Sequence, residues 1–128
     1  MSDFNARNNR AVWFDIPVSN LERAATFYRN VLAIKVDVMQ FGDTSFALLE
    51  HDVGNGGCLV VAPGEVTGKG GVLVYLNVNG RLREATDLAV EHGGSVVESP
   101  RSIGPHGSRS VILDSEGNRI ALHSQGAV

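Results

Sequence analysis

The feature that most constrains this chain is a pattern it carries twice. From Val12 to Val18 the residues alternate, with Val12, Phe14, Ile16 and Val18 on one face of a strand and Trp13, Asp15 and Pro17 on the other. Val72 to Val78 repeats this at an offset of 60, with Val72, Val74, Leu76 and Val78 opposite Leu73, Tyr75 and Asn77. Leu21, Ala24 and Phe27 overlay Leu82, Ala85 and Leu88 at 61, Phe46 to Glu50 overlays Ser110 to Asp114 at 64, and Gly56 to Pro63 overlays Gly117 to Ser124 at 61. The order of elements is the same throughout, so the chain reads as two β-α-β-β-β units, about 11 to 62 and 72 to 124, in tandem. A unit of this kind, standing alone, leaves one face of its sheet bare. The expected architecture is therefore a single α+β domain over residues 1–128, with a site where the two units face each other.

Local signals place the elements. Ser19-Asn20-Leu21-Glu22 has the form of a capping box, with the Ser19 hydroxyl and the Glu22 carboxylate serving the first helical donors. Leu21, Ala24, Ala25, Tyr28, Val31 and Leu32 then form a stripe at helical spacing. Ile34 to Phe41, Ser45 to Glu50 and Gly57 to Ala62 read as strands, the first two joined at Gly42-Asp43. Pro63 to Gly71 is a glycine-rich connector. In the second unit Leu82, Ala85, Leu88 and Ala89 mark a helix that stops at Gly93-Gly94. Ser95 to Glu98 is expected as a short strand and Ser99 to Gly107 as a loop. Val111 to Leu113, the turn Asp114 to Asn118, and Ile120 to His123 form a closing hairpin.

Composition excludes several classes of function. The net charge is -3 and the 11 Lys and Arg are scattered, so there is no basic field for nucleic acid or an anionic membrane. No run approaches membrane-spanning length, and the first ten residues are polar where a secretory signal is apolar, which predicts a cytoplasmic protein. Cys58 is the single cysteine, so an internal disulfide and a multi-cysteine zinc site are both excluded.

The stretches IPVSNLERAATFYRNVL (16 to 32) and LDSEGNRIALHS (113 to 124) resemble the vicinal oxygen chelate superfamily, which includes glyoxalase I, extradiol dioxygenases and bleomycin-resistance proteins. The resemblance implies that the two mixed sheets curl into a cup with the helices outside, that ligands bind on the concave side, and that the protein is a homodimer. In the metal enzymes of the superfamily, His, Glu or Gln from the first and last strand of each unit hold a divalent ion. The matching positions here are Trp13 and Val60 in the first unit, Leu73 and Ala121 in the second. None of these side chains is a donor to a divalent ion, so no metal and no other cofactor is expected. They would instead line an apolar, partly aromatic surface suited to a small organic molecule.

Alternation also names the polar residues that share this face. Asp15 accompanies Trp13; Tyr75 and Asn77 accompany Leu73; Arg119 and His123 accompany Ala121; and Cys58, by its overlay on Arg119, joins them. His123 and Asp15 could form an imidazole-carboxylate pair acting as a general base, and His106, held in Gly104-Pro105-His106-Gly107, could lie over a ligand at the rim. The same three residues could also form a non-standard metal site. Arg119 could neutralise an acidic ligand group, be solvated, or pair with Asp114 or Glu116. Glu50-His51-Asp52 reads as a strand-to-turn junction, since Glu50 overlays Asp114. The expected function is thus binding of a small, largely apolar organic molecule, with His123, His106 and Asp15 as catalytic candidates. Trp13, Cys58, Val60, Leu73, Tyr75, Asn77, Arg119 and Ala121 are the ligand-binding candidates. The alternative is a lyase, isomerase or dioxygenase of the superfamily with a rearranged metal site.

Overall fold

The computed structural model describes residues 10–128. The first unit contains β1 (Asp15–Val18), α1 (Leu21–Leu32), β2 (Val36–Phe41), β3 (Thr44–Leu49) and β4 (Cys58–Val61). The second contains β5 (Val74–Asn77), α2 (Leu82–Glu91), β6 (Ser95–Ser102), β7 (Ser108–Leu113) and β8 (Arg119–Ser124). Each unit makes one four-stranded sheet, ordered β1-β4-β3-β2 and β5-β8-β7-β6. In both sheets the first and last strands are parallel and the other neighbours antiparallel. This is the duplicated α+β architecture that the repeat predicts.

One face of each sheet packs on the helices. Ile16, Val18, Ala47, Leu49 and Leu59 join Ala24, Ala25, Phe27, Tyr28 and Val31 of α1 in a single core that continues through Leu76, Ile112, Ile120 and Leu122 to α2. The helical stripe is as read, with Phe27 added to it and Leu21 and Leu32 only partly buried. At the end of α1, Ala33 adopts a left-handed backbone (φ 56°), and Gly93 (φ 97°) does the same after α2, where glycine carries no steric cost.

Three local expectations are corrected. The N-cap of α1 is Asn20, whose side chain accepts from the Arg23 N–H at 3.0 Å, and not Ser19 with Glu22. The reason lies in the other unit. Glu116 Oε1 accepts the backbone N–H of both Ser19 (2.9 Å) and Asn20 (2.8 Å), so a distant carboxylate performs the expected capping role. The first strand begins at Asp15 and not Val12, because β4 starts at Cys58 and offers earlier residues only the bond from its N–H to Phe14 O. The strand expected to end at Glu98 runs to Ser102, through Pro100 and two register irregularities. It lies at the sheet edge, where a residue without an N–H is tolerated.

The closing turn joins the units. Asp114 Oδ1 accepts the N–H groups of Glu116 and Asn118, both at 2.9 Å, while Asp114 Oδ2 accepts the buried Tyr28 hydroxyl at 2.6 Å. The Asn118 amide donates to Pro17 O at 2.7 Å, and Arg23 pairs with Glu116 at 2.6 Å. A turn that looks purely local in sequence therefore anchors the start of α1.

Candidate functional site: the concave face

Since the odd-numbered partners of Ile16 and Val18 face away from the helices, β1 and β4 turn Asp15, Pro17, Cys58 and Val60 to the concave side, as the alternation predicts. Phe46 and Leu48 of β3 lie beside them. From the second sheet come Tyr75 and Asn77 of β5, Arg119, Ala121 and His123 of β8, and Arg109 of β7. Two cavities lie where the units meet. One, of about 260 Å³, is lined by Asp15, Pro17, Thr67, Val74, Asn118 and Arg119 among others. The second, of about 340 Å³, is bordered by Phe14, Leu49, His51 and Gly57 from one unit and by Tyr75 and Asn77 from the other.

Strand register changes one equivalence between the units. Asp15 stands opposite Cys58, and Tyr75 stands opposite Ala121. With the first strands overlaid, Asp15 to Tyr75 is 60 positions and Cys58 to Ala121 is 63. Cys58, not Val60, is therefore the counterpart of Ala121, and the offset of 61 read for the last strands, which matched Cys58 to Arg119, is not that of the ladders. The two-residue difference preserves the face, which is why alternation still assigned all three correctly.

The chemistry of the candidates is set by their partners. Cys58 is buried and its thiol donates to Asp15 Oδ1 at 3.2 Å. Burial pushes its pKa up to about 11, with the Asp15 carboxylate adding to the rise and a bond with Trp13 opposing it, so the group is held as a thiol. The Trp13 ring stands edge-on to His51 at 5.9 Å. His123 Nε2 is 2.7 Å from His106 O, and its ring lies 6.1 Å from that of Tyr75. The expected Asp15–His123 pair does not form: Asp15 is bonded to Cys58, His123 to the His106 backbone, and no hydrogen bond or ion pair joins them. The short helical turn Gly104–His106 does bring His106 to His123, but through its carbonyl rather than its imidazole. Asn77 Oδ1 accepts the Asn79 N–H at 2.8 Å, which ties this side chain to the turn before α2.

Two features escaped the sequence reading. Arg109 donates to the Tyr75 hydroxyl and is gripped by both oxygens of Glu98, at 2.9 and 3.3 Å. Arg101 adds a third contact to Glu98 at 3.0 Å. Hydrogen bonds from Arg109 outweigh the slight desolvation of Glu98 and lower its pKa, while Glu98 and then Tyr75 raise that of Arg109. No spacing in the sequence foretells the cluster, because the irregular β6 decides which of its residues meet β7. The second feature is Arg119. Asp114 and Glu116, its expected partners, are committed to Tyr28, Asn118, Arg23 and the start of α1. Arg119 has no ion pair among the described residues, and its Nε is buried without a hydrogen-bond partner.

The superfamily's metal finds no matching donors at these positions. Trp13, Leu73 and Ala121 supply none, and the register replaces Val60 by Cys58, a single thiol with no imidazole or carboxylate at the other three positions to complete a ligand set. Among the described residues no group of three or more His, Cys, Asp or Glu is disposed to hold an ion. No helix among them is long and apolar enough to cross a membrane.

Comparison with known proteins agrees with this architecture. Solved structures that share the fold include a glyoxalase-related enzyme from Fulvimarina pelagi, at 13% identity and TM-score 0.69, covering 91% of this chain and 88% of the other. A glyoxalase/bleomycin resistance protein/dioxygenase family enzyme from Burkholderia phytofirmans is 15% identical with TM-score 0.67, covering 88% and 95%. An E144Q mutant of glyoxalase I from Zea mays is 21% identical with TM-score 0.66, and the match covers 88% of this chain but 45% of that one. No curated protein sequence matches. The family model described as Glyoxalase/Bleomycin resistance protein/Dioxygenase superfamily matches residues 10–122. With the duplicated fold and nearly the whole length accounted for, the chain belongs to the glyoxalase/bleomycin resistance protein/dioxygenase superfamily.

Proposed function

We propose that this protein binds a small organic molecule in the concave space between its two sheets, through apolar and aromatic contacts and without a divalent ion at the superfamily's metal position. The observation that carries this reading is the kind of residue at the superfamily's ligand positions: Trp13 and Leu73 by sequence, and Cys58 and Ala121 by the ladders that set them opposite Asp15 and Tyr75, with Val60, Phe46 and Leu48 nearby, supply no imidazole or carboxylate. Polar groups that fix a ligand's orientation would come from the second unit, where Tyr75, Asn77, Arg119 and His123 share the face. Any chemistry is proton transfer by His123 or His106, with Asp15 acting separately through Cys58 and not as the partner of His123.

Pairing of two copies, which the superfamily resemblance implies, would cover Val38, Met39 and Phe41 on the outer strand β2, all exposed in the single chain. Sedimentation equilibrium reads this directly.

The test of the metal-free reading is the metal content of protein purified without chelator, combined with thermal shift on adding Zn, Ni, Mn or Fe. No stoichiometric metal and no metal-induced stabilisation are expected. Stoichiometric metal that is lost in His123→Ala would overturn the proposal in favour of a rearranged metal site. A His106→Ala/His123→Ala variant that keeps full turnover would remove both histidines as catalytic groups.

A further inference from the structure

The two walls of the cup differ in charge. The first-unit wall carries Cys58, Val60, Phe46 and Leu48, interrupted by Asp15, whose carboxylate is occupied by the Cys58 thiol. On the second-unit wall Arg101 and Arg109 grip the Glu98 carboxylate, while Arg119 stands apart from them, opposite Leu113. Arg101 and Arg109 are both committed to Glu98, but Arg119 has no acceptor among the described residues, lines the 260 Å³ cavity, and holds its Nε buried without a hydrogen-bond partner. Asp15 and Glu65 border the same cavity, yet neither forms an ion pair with it. A half-buried, unpaired guanidinium is costly unless an acceptor arrives from outside.

We propose that the ligand is a small organic anion, a monocarboxylate with an apolar body, whose carboxylate is taken by Arg119 while the body lies against Phe14, Pro17, Val74 and Ile120 of the same cavity. Arg119 has the planar donor set that carboxylates match. The inference rests on the small-molecule reading above and narrows it from an apolar ligand to an amphipathic anion.

The experiment is calorimetric titration and thermal shift with two matched pairs, benzoate against benzamide and hexanoate against hexanamide, on the full-length protein, on Arg119→Met and on Arg119→Lys. The acid is expected to bind at least about tenfold tighter than its amide, to lose about that factor in Arg119→Met, to recover only part of it in Arg119→Lys, which keeps the charge without the planar donor set, and to weaken with added NaCl. Replacing an unpaired, partly buried charge by an apolar side chain of similar length should not impair folding. If Arg119→Met fails to fold, Arg119→Gln carries the same comparison. Acid and amide binding equally, or acid binding that survives intact in Arg119→Met, overturns the anion while leaving the small-molecule pocket standing. Failure of all four probes to bind the unaltered protein overturns both.

Discussion

Replacing Glu116 by glutamine should remove the principal polar link between the two halves of this fold, and the size and pH dependence of the loss follow from its surroundings. The Glu116 side chain is wholly buried, although Arg23 beside it is 53% exposed. Burial by itself would raise the carboxyl's pKa. Hydrogen bonds from Arg23, from the Asn20 and Ser19 N–H groups and from Ser115 outweigh this and bring it down to about 2. A group that titrates near 4.5 when unfolded and near 2 when folded is linked to about 3 kcal/mol of stability. Because the folded value is the lower, that stability is fully present above the unfolded pKa and is lost as pH falls through the folded one. Urea unfolding of the unaltered protein and of Glu116→Gln at pH 7 should differ by about 3 kcal/mol. By pH 3 about half of that gap should have closed, since protonation of the unfolded chain is then nearly complete. Glutamine can still accept from Ser19 and Asn20, but its amide donors oppose Arg23, so the shape is kept and the charge is lost. A gap below 1 kcal/mol at pH 7, or one unchanged between pH 7 and pH 3, would refute this account of how the units are joined.

Two other perturbations probe the same structure. Tyr28→Phe leaves a fully buried ring in place but takes the hydroxyl from Asp114 Oδ2, and should cost about 2 kcal/mol in chemical denaturation. An unchanged midpoint would show that the Asn118 amide, 2.9 Å from the same oxygen, compensates for it. Cys58, with its pKa pushed up to about 11, should react slowly with iodoacetamide in the folded protein, at a rate that keeps rising with pH beyond 9. A rate that reaches half its maximum near pH 8.5, as for an ordinary thiol, would contradict the burial of Cys58 beside Asp15.

Much of the fold was legible in the sequence because it depends on local periodicity. A strand with two dissimilar faces, a helical stripe and a glycine stop each occupy a few consecutive residues, and their repetition in the same order made the tandem architecture readable before any contact was known. The face assignments of Asp15, Cys58, Val60, Tyr75, Arg119, Ala121 and His123 share this origin, since a strand's side chains alternate whatever it pairs with. The β6 strand shows where local reading stops. Pro100 marks a break in sequence, but at a sheet edge its missing N–H costs nothing, so pairing with β7 continues to Ser102.

What the chain determined by itself is therefore the set of elements, their order, and the side of each sheet on which a residue lies. Tertiary structure alone decided the register that makes Cys58 the counterpart of Ala121, and it placed Glu116 at the start of a helix 93 residues earlier in the chain. It also gave His123 a backbone partner in place of Asp15, engaged Arg109 with Tyr75, and left the buried Nε of Arg119 without an acceptor among the described residues. The physical reason is the range of the interactions. Periodicity is written into neighbouring residues by backbone geometry, whereas a hydrogen bond between side chains depends on positions fixed by every strand and turn between them.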